Sequence, residues 1–167
     1  MLMDGFIIDA FAFCRLKERR QGELPVAELK RLSAETVDSS GVLQWALQGD
    51  TNQYGHAQLT LSVSGVIKLK CQRCLQALKQ KIDSTSVLVL AQDDASADEI
   101  EELLADEDVE VIVGSHEFDL LQIIEDEALL ALPVSPKHEV CPDQTALDSL
   151  KEEKKESPFS VLKTLKK

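Results

Sequence analysis

Between Ala57 and Cys71 apolar and polar positions alternate: Leu59, Leu61, Val63, Ile67 and Leu69 interleave with Gln58, Thr60, Ser62, Lys68 and Lys70. Period 2 is the signature of a strand with one face buried. The same parity places Cys71 on the apolar face at the end of that strand, where a bound metal would be shielded from water. Gly65 falls within the run and marks a bulge or bend. Val42 to Gln48 alternates likewise, with Leu43, Trp45 and Leu47 on one face, and Gly49 to Gly55 supplies a turn, so the two segments form a hairpin. Lys81 to Leu90 reads as a third strand, and Val109, Val111 and Val113 define a short fourth. Strands so close in sequence predict an α+β protein: an antiparallel sheet of about four or more strands, open or barrel-like, packed with a few helices.

A 3.6-residue period replaces the alternation elsewhere. Asp119 to Leu132 is a helix with Asp119 as N-cap, Gln122 as capping-box partner, Leu120, Ile123, Ile124, Ala128 and Ala131 as buried stripe, and Pro133 as stop. Its Glu125, Asp126 and Glu127 are consecutive, so they cannot all face one way. Glu125 and Asp126 are expected on a solvated face, whereas Glu127 falls nearer the stripe and needs a partner. Pro25 to Leu32 is a short helix carrying Lys30 and Arg31. Ile100, Leu103 and Leu104 give a short amphipathic helix inside an otherwise acidic, mobile loop, Gln92 to Asp108.

Beyond Pro142 the chain turns polar. Residues 1–142 are therefore expected to form one domain, and 143–167 a flexible linker with a small basic amphipathic end, where Phe159, Leu162 and Leu165 oppose Lys163, Lys166 and Lys167. That end is too short to be a stable helix alone.

At 167 residues the chain is long enough to bury roughly 70% of its unfolded surface, so a core does not require a metal. Met1 to Phe13 is apolar but carries Asp4 and Asp9 and no basic leader, and no apolar run approaches the about 18 residues a bilayer crossing needs. A soluble, cytoplasmic protein without membrane contact is expected.

The charges are segregated. Net charge is −12, from 18 Lys plus Arg against 30 Asp plus Glu. No lysine or arginine lies between Ile82 and Pro136, an interval with 16 of the acids. Basic residues gather at Arg15 to Arg31, at Lys68 to Lys81, and in the tail. A solvated acidic surface explains the total. The segregation favours a basic protein on the acidic side and phosphate on the other. Nucleic-acid binding over the whole surface is disfavoured, because affinity comes from neutralising phosphates.

The chemistry-bearing residues are Cys71-Gln72-Arg73-Cys74 and, far downstream, His138-Glu139-Val140-Cys141. Cys71, Cys74, His138 and Cys141 together offer three sulfurs and an imidazole, a tetrahedral zinc set. One Cys-x2-Cys is common and His-x2-Cys is an unusual second half, so reduced metal-free thiols and dithiol redox chemistry at Cys71 and Cys74 stand as alternatives. The redox motif belongs in a βαβ setting, and only Leu75 to Gln80 separate this pair from the next strand. A zinc deaminase would need His-x-Glu upstream of Pro-Cys-x-x-Cys, and the order here is reversed. Cys14 stands apart, so four cysteines do not form a disulfide framework. Zinc binding to small peptides, about 10–16 kcal/mol, exceeds a typical domain stability of about 5–15 kcal/mol; in a chain with its own core, metal loss is expected to loosen one corner.

The Cys71–Cys74 block, His116-Glu117-Phe118-Asp119-Leu120-Leu121, Glu125 through Pro133, His138 with Cys141, and Ser157-Pro158-Phe159-Ser160-Val161-Leu162 together resemble the YceD family, the large ribosomal RNA subunit accumulation proteins of bacteria and plastids. The likeness is good from Cys71 onward and loose over the N-terminal third. It implies a part in accumulation or processing of large-subunit ribosomal RNA, with no catalytic residue to carry over. Some members have a fuller cysteine set after the helix, where this chain has only His138 and Cys141.

No Gly-rich phosphate loop or Gly-x-Ser-x-Gly elbow occurs, and His56, His116 and His138 lack a nucleophile partner. The expected function is a non-enzymatic ribosome-assembly factor. Asp93, Asp94, Asp98, Glu99, Glu101, Glu102, Asp106, Glu107, Asp108 and Glu110 would face a basic ribosomal or RNA-processing protein. Arg15, Lys17, Arg19, Arg20, Lys30, Arg31, Lys68, Lys70 and Arg73 would face ribosomal RNA in large-subunit precursors. An acidic adaptor that never touches RNA is the rival reading.

Overall fold

The computed structural model describes residues 5–142. The linker and amphipathic end expected over 143–167 lie outside the described residues.

Three long strands carry the architecture: β3 (Val42–Thr51), β4 (Ala57–Lys70) and β5 (Ala77–Ala91). Alternation dictates the pairing. Trp45 stands opposite Val63 and Leu47 opposite Leu61, while Leu59 meets Leu88 and Leu69 meets Leu78, so the apolar residues of all three strands share one face. β2 (Arg19–Pro25) adds antiparallel to β3 at one edge and β6 (Glu110–Val113) adds to β5 at the other, giving the order β2-β3-β4-β5-β6. The sheet is open and does not close into a barrel. β6 runs parallel to β5, with Val89 opposite Val111. A parallel neighbour needs a crossover, and the intervening helix supplies it.

β1 (Ile7–Ile8) and β7 (Phe118–Asp119) form a separate two-stranded pair. α1 (Ala10–Arg15), α2 (Lys30–Glu35, after a single 3-10 turn at Val26–Glu28) and α4 (Leu120–Leu130) pack on the inner face of the large sheet. The core there joins Phe13, Leu24, Leu32, Leu47, Leu61, Ile82, Leu120 and Ile124, all nearly inaccessible to solvent. α3 (Asp94–Leu103) lies on the outer face, where Ile100 and Leu104 cover Val89 and Ala91. The short helix expected within this acidic segment is present and spans most of it, ordered rather than mobile, and is opened by a capping box in which Asp93 accepts from the Ser96 amide at 2.8 Å. Leu103, expected in its apolar stripe, is exposed.

Gly65 makes no bulge. It stays in register with Leu43 and Ile82, and a Cβ there would lie 2.8 Å from the Val42 carbonyl oxygen, so the position serves close approach of strands. Gly49 does the same under α1, where a Cβ would come within 2.6 Å of the Phe13 carbonyl.

α4 starts as expected, with the Asp119 carboxylate accepting from the Leu121 and Gln122 amides; the reciprocal Gln122 side-chain bond is not formed. Glu125 is not on a solvated face. It is buried, and its carboxylate accepts from the amides of Arg31 at 2.6 Å and Leu32 at 3.1 Å and from Arg31 Nε at 2.9 Å, while Arg31 also reaches Asp126 at 2.6 Å. Sequence periodicity could not show this, because the partners arise from α2, far away in the chain. Glu127 finds the partner it needed in the Ser84 hydroxyl.

Burial opposes the charge on Glu125, but the Leu32 amide and the Arg31 side chain and amide outweigh it and hold the carboxyl below its ordinary value. A lowered carboxyl contributes stability above its unfolded pKa and loses that contribution as pH falls through the folded value. Glu125→Gln is expected to cost about 1–2 kcal/mol at pH 7. In urea denaturation the gap from the parent protein should stay constant above pH about 4.5 and shrink on further acidification.

Candidate metal centre

β4 and β5 extend past Leu43, the last β3 residue paired with β4, as a two-stranded ribbon whose tip is the turn Cys71–Gln76. Strand parity brings Cys71 to the buried side, as expected, and the Leu75 amide donates to the Cys71 carbonyl at 2.9 Å to close the turn. Leu75 takes φ 62°, the left-handed conformation that reverses the chain here. The second half arrives from beyond α4. After Pro133 stops the helix, the Gln72 amide donates to the Pro136 carbonyl at 2.8 Å, laying the His138–Cys141 segment against the turn.

The sulfurs of Cys71, Cys74 and Cys141 and a ring nitrogen of His138 all lie within 4.8 Å of one another. Cys71 Sγ is 4.0 Å from Cys141 Sγ, and Cys74 Sγ is 3.4 Å from His138 Nδ1. Thiolates about 2.3 Å from a tetrahedral zinc stand roughly 3.8 Å apart, so only a small contraction separates this cluster from a coordination shell. The four side chains form a site able to hold a metal ion.

The surroundings suit that chemistry. Amides of Arg73 and His138 point at Cys71 Sγ from 3.4 and 3.5 Å. Burial works against the Cys71 thiolate, but the backbone amides of Cys74, His138 and Arg73 prevail and bring the thiol down to about 5. Cys141 is pushed up to about 11 by burial and by the neighbouring Cys74 and Cys71 sulfurs. Charge on the first sulfur thus discourages charge on the next, which a cation would reverse. His138 Nε2 lies 3.2 Å from the Ala77 carbonyl. A carbonyl only accepts, so the ring proton resides on Nε2, and Nδ1 turns its lone pair toward the sulfurs, as outer partners of metal-bound histidines commonly arrange. Cys14 takes no part: it is buried beneath β4, donates to the Gln58 carbonyl at 3.2 Å, and is raised by burial.

The basic candidates separate into groups. Lys17 pairs with Asp50, Arg20 reaches the Gly5 carbonyl and stacks over Phe13, and Arg31 is engaged by Glu125 and Asp126. Arg19 is level with Gln48, and through it Thr60, about 26 Å along the sheet from Lys68. Arg15 and Lys30 are exposed at the end of α1 and the start of α2. Lys68 and Lys70 share the outer face of the ribbon with Lys79 and Lys81, and Arg73 is exposed at its tip. Lys79 and Lys81 were not among the candidates singled out; Leu78, Gln80 and Ile82 were the signal that β5 begins early and turns both lysines outward. The acidic candidates are exposed on and after α3; of these Asp93 caps the helix, and Glu107 accepts from Gln53 at 3.2 Å.

A family model described as "Large ribosomal RNA subunit accumulation protein YceD" matches residues 59–166. The chain belongs to this family. It is similar to the Large ribosomal RNA subunit accumulation protein YceD of Haemophilus influenzae (strain ATCC 51907 / DSM 11121 / KW20 / Rd), with 35% identity over 107 residues, 60% of this chain and 60% of that protein. The aligned stretch thus covers less than two thirds of that relative's length. No solved structure matches. All four cluster residues and the ribbon lysines fall inside the YceD match. Among the described residues no helix is long and apolar enough to cross a membrane.

Cobalt(II), a spectroscopic stand-in for zinc, should give thiolate charge-transfer absorbance that saturates at one ion per chain. Cys141→Ser should weaken binding by more than the roughly 10–100-fold that loss of an outer partner costs, while Cys14→Ser should leave it unchanged.

Proposed function

We propose that this chain supports the accumulation of large-subunit ribosomal RNA as a cytoplasmic assembly factor without a catalytic centre of its own. The observation that carries this reading is membership of the YceD family, whose name states that role. The charge arrangement supports a mode of action by contact: acids on and after α3 toward a basic ribosomal or RNA-processing protein, and the lysine-bearing ribbon toward ribosomal RNA in large-subunit precursors.

In this reading the cluster holds zinc. Three soft sulfurs and an imidazole favour zinc over hard, oxygen-seeking cations. Cys71, Cys74, His138 and Cys141 supply four ligands, which leaves no open position, as in structural sites. The ion would supply cross-linking alone, tying the ribbon tip to the segment after α4. Residues 1–142 act as one domain.

Depleting the protein in cells should lower large-subunit ribosomal RNA relative to small-subunit RNA, and the parent chain should restore it. A Cys74→Ser/Cys141→Ser chain should restore it poorly. Unchanged RNA ratios on depletion would remove the proposal. Protein purified without chelator should carry about one zinc per chain, and a chelator should lower its melting temperature without abolishing the folded sheet.

A further inference from the structure

The outer face of the β4–β5 ribbon places like charges together. Val66 stands opposite Lys81, Lys68 opposite Lys79 and Lys70 opposite Ala77, so four lysines lie in two adjacent strands. They repeat about 6.6 Å along each strand, in lines about 4.8 Å apart. Like charges directly opposed destabilise a strand pair. Lys68 reaches Asp38 at 3.1 Å and Lys81 reaches Asp83 at 3.2 Å, both pairs open to solvent and worth little. Among the described residues Lys70 and Lys79 make no ion pair, nor do Arg73 at the tip and Lys137 beside it. A chain of net charge −12 thus concentrates cations where they repel one another, which an extended polyanion would relieve.

The rest of this face narrows the class of polyanion. From the lysines toward α3 it carries Ser64, Ser62, Thr60 and Thr85, open or half-open, with Glu23, Asp83, Asp38 beside Lys68 and Asp50 level with Gln58 as acids along it. Among the described residues it bears no aromatic ring. Phe6, Phe11, Phe13, Trp45 and Phe118 belong to the core cluster on the opposite side, and Tyr54 is in the β3–β4 turn at the far end. Single-stranded nucleic acid is held by stacking bases on aromatic side chains. Helical RNA is held by its phosphates and 2′-hydroxyls and by shape.

We infer that the outer face of the β4–β5 ribbon docks the backbone of double-helical RNA. Lys68, Lys70, Lys79 and Lys81 meet phosphates, and Ser62 and Ser64 meet 2′-hydroxyls. The inference rests on the proposed role in large-subunit RNA accumulation for its biological setting, and on charge and side-chain type for its chemistry. The recognition is of form rather than sequence, and the acidic remainder of the surface keeps the contact local.

The test is binding of the full-length, zinc-loaded chain to a fluorescent RNA duplex of about 20 base pairs, somewhat longer than the roughly 16 a duplex-binding domain spans, over a series of salt concentrations. Replacing all four lysines by glutamine should weaken binding about 10-fold or more and reduce the slope of log affinity against log salt by about one per lysine. Lys70→Gln/Lys79→Gln, which breaks no ion pair, should give about half that change in slope, and an unaltered cobalt spectrum should report an intact tip. Arg15→Gln/Lys30→Gln should bind like the parent. Duplex binding that is absent or indifferent to the lysines would overturn the inference. Tighter binding of single-stranded RNA would do the same, as would displacement by polyglutamate as readily as by RNA, which would assign the face to an acidic protein. If duplex binding fails while the chain still sustains large-subunit RNA in cells, the docking surface falls and the function stands; if binding holds and depletion has no effect on that RNA, the reverse applies.

Discussion

The phase of β4 against β5 is the constraint on which the rest depends. Because side chains in a strand alternate strictly, the pairing of Gln58–Lys70 with Ala77–Val89 settles two surfaces at once. Leu59, Leu61, Val63, Ile67 and Leu69 go to the core, and Cys71 follows them inward; Lys68 and Lys70 go outward. A slip of one residue would expose the aliphatic row, bury the lysines and withdraw the first sulfur from the cluster. The burial of five aliphatic side chains, each worth about 1.5–3 kcal/mol, holds that phase. A structural demand for a core thereby fixes the chemistry at the tip and the charge on the opposite side.

The cluster adds a long-range closure. Cys71 and Cys74 belong to a local turn, whereas His138 and Cys141 arrive only after the chain has built β5, α3, β6 and α4. Two backbone contacts prepare the meeting: the Gln72 amide on the Pro136 carbonyl and the Ala77 carbonyl on the His138 ring. The Arg31–Glu125–Asp126 network performs an analogous closure between α2 and α4, by charge and amide rather than by sulfur. Both lie on the inner side of the sheet, and among the described residues only α3 covers part of the outer face.

Much of this was legible in the residues. Regular alternation gave β3, β4 and most of β5, and the Asp119 cap with Pro133 bounded α4, because these signals are local and periodic. The four cluster residues could be named because cysteine and histidine spacing is sparse enough to stand out. Elements whose reason lies elsewhere in the chain escaped. β1 and β7 are two residues each and exist only as partners of one another. β2 reads Arg-Arg-Gln-Gly-Glu-Leu-Pro, an edge strand with a single buried side chain, Leu24, and so no alternation to detect. α1 was hidden in an apolar N-terminal run, and Glu125 looked solvated because its partners are on α2. β6 and a helix before it were legible, but the parallel pairing was not, because it depends on α3 carrying the chain back across the outer face.

Among the described residues the ribbon has no third strand beside it past Leu43; one amide bond, from Val37 to the Lys68 carbonyl at 2.9 Å, continues the edge. Two strands alone are marginal in water. The overhang is consequently a lever with a soft root, held at its free end by the contacts among Cys71, Cys74, His138 and Cys141. Gain or loss of an ion there would alter how firmly the whole charged paddle is aimed while leaving the hub of the molecule unmoved.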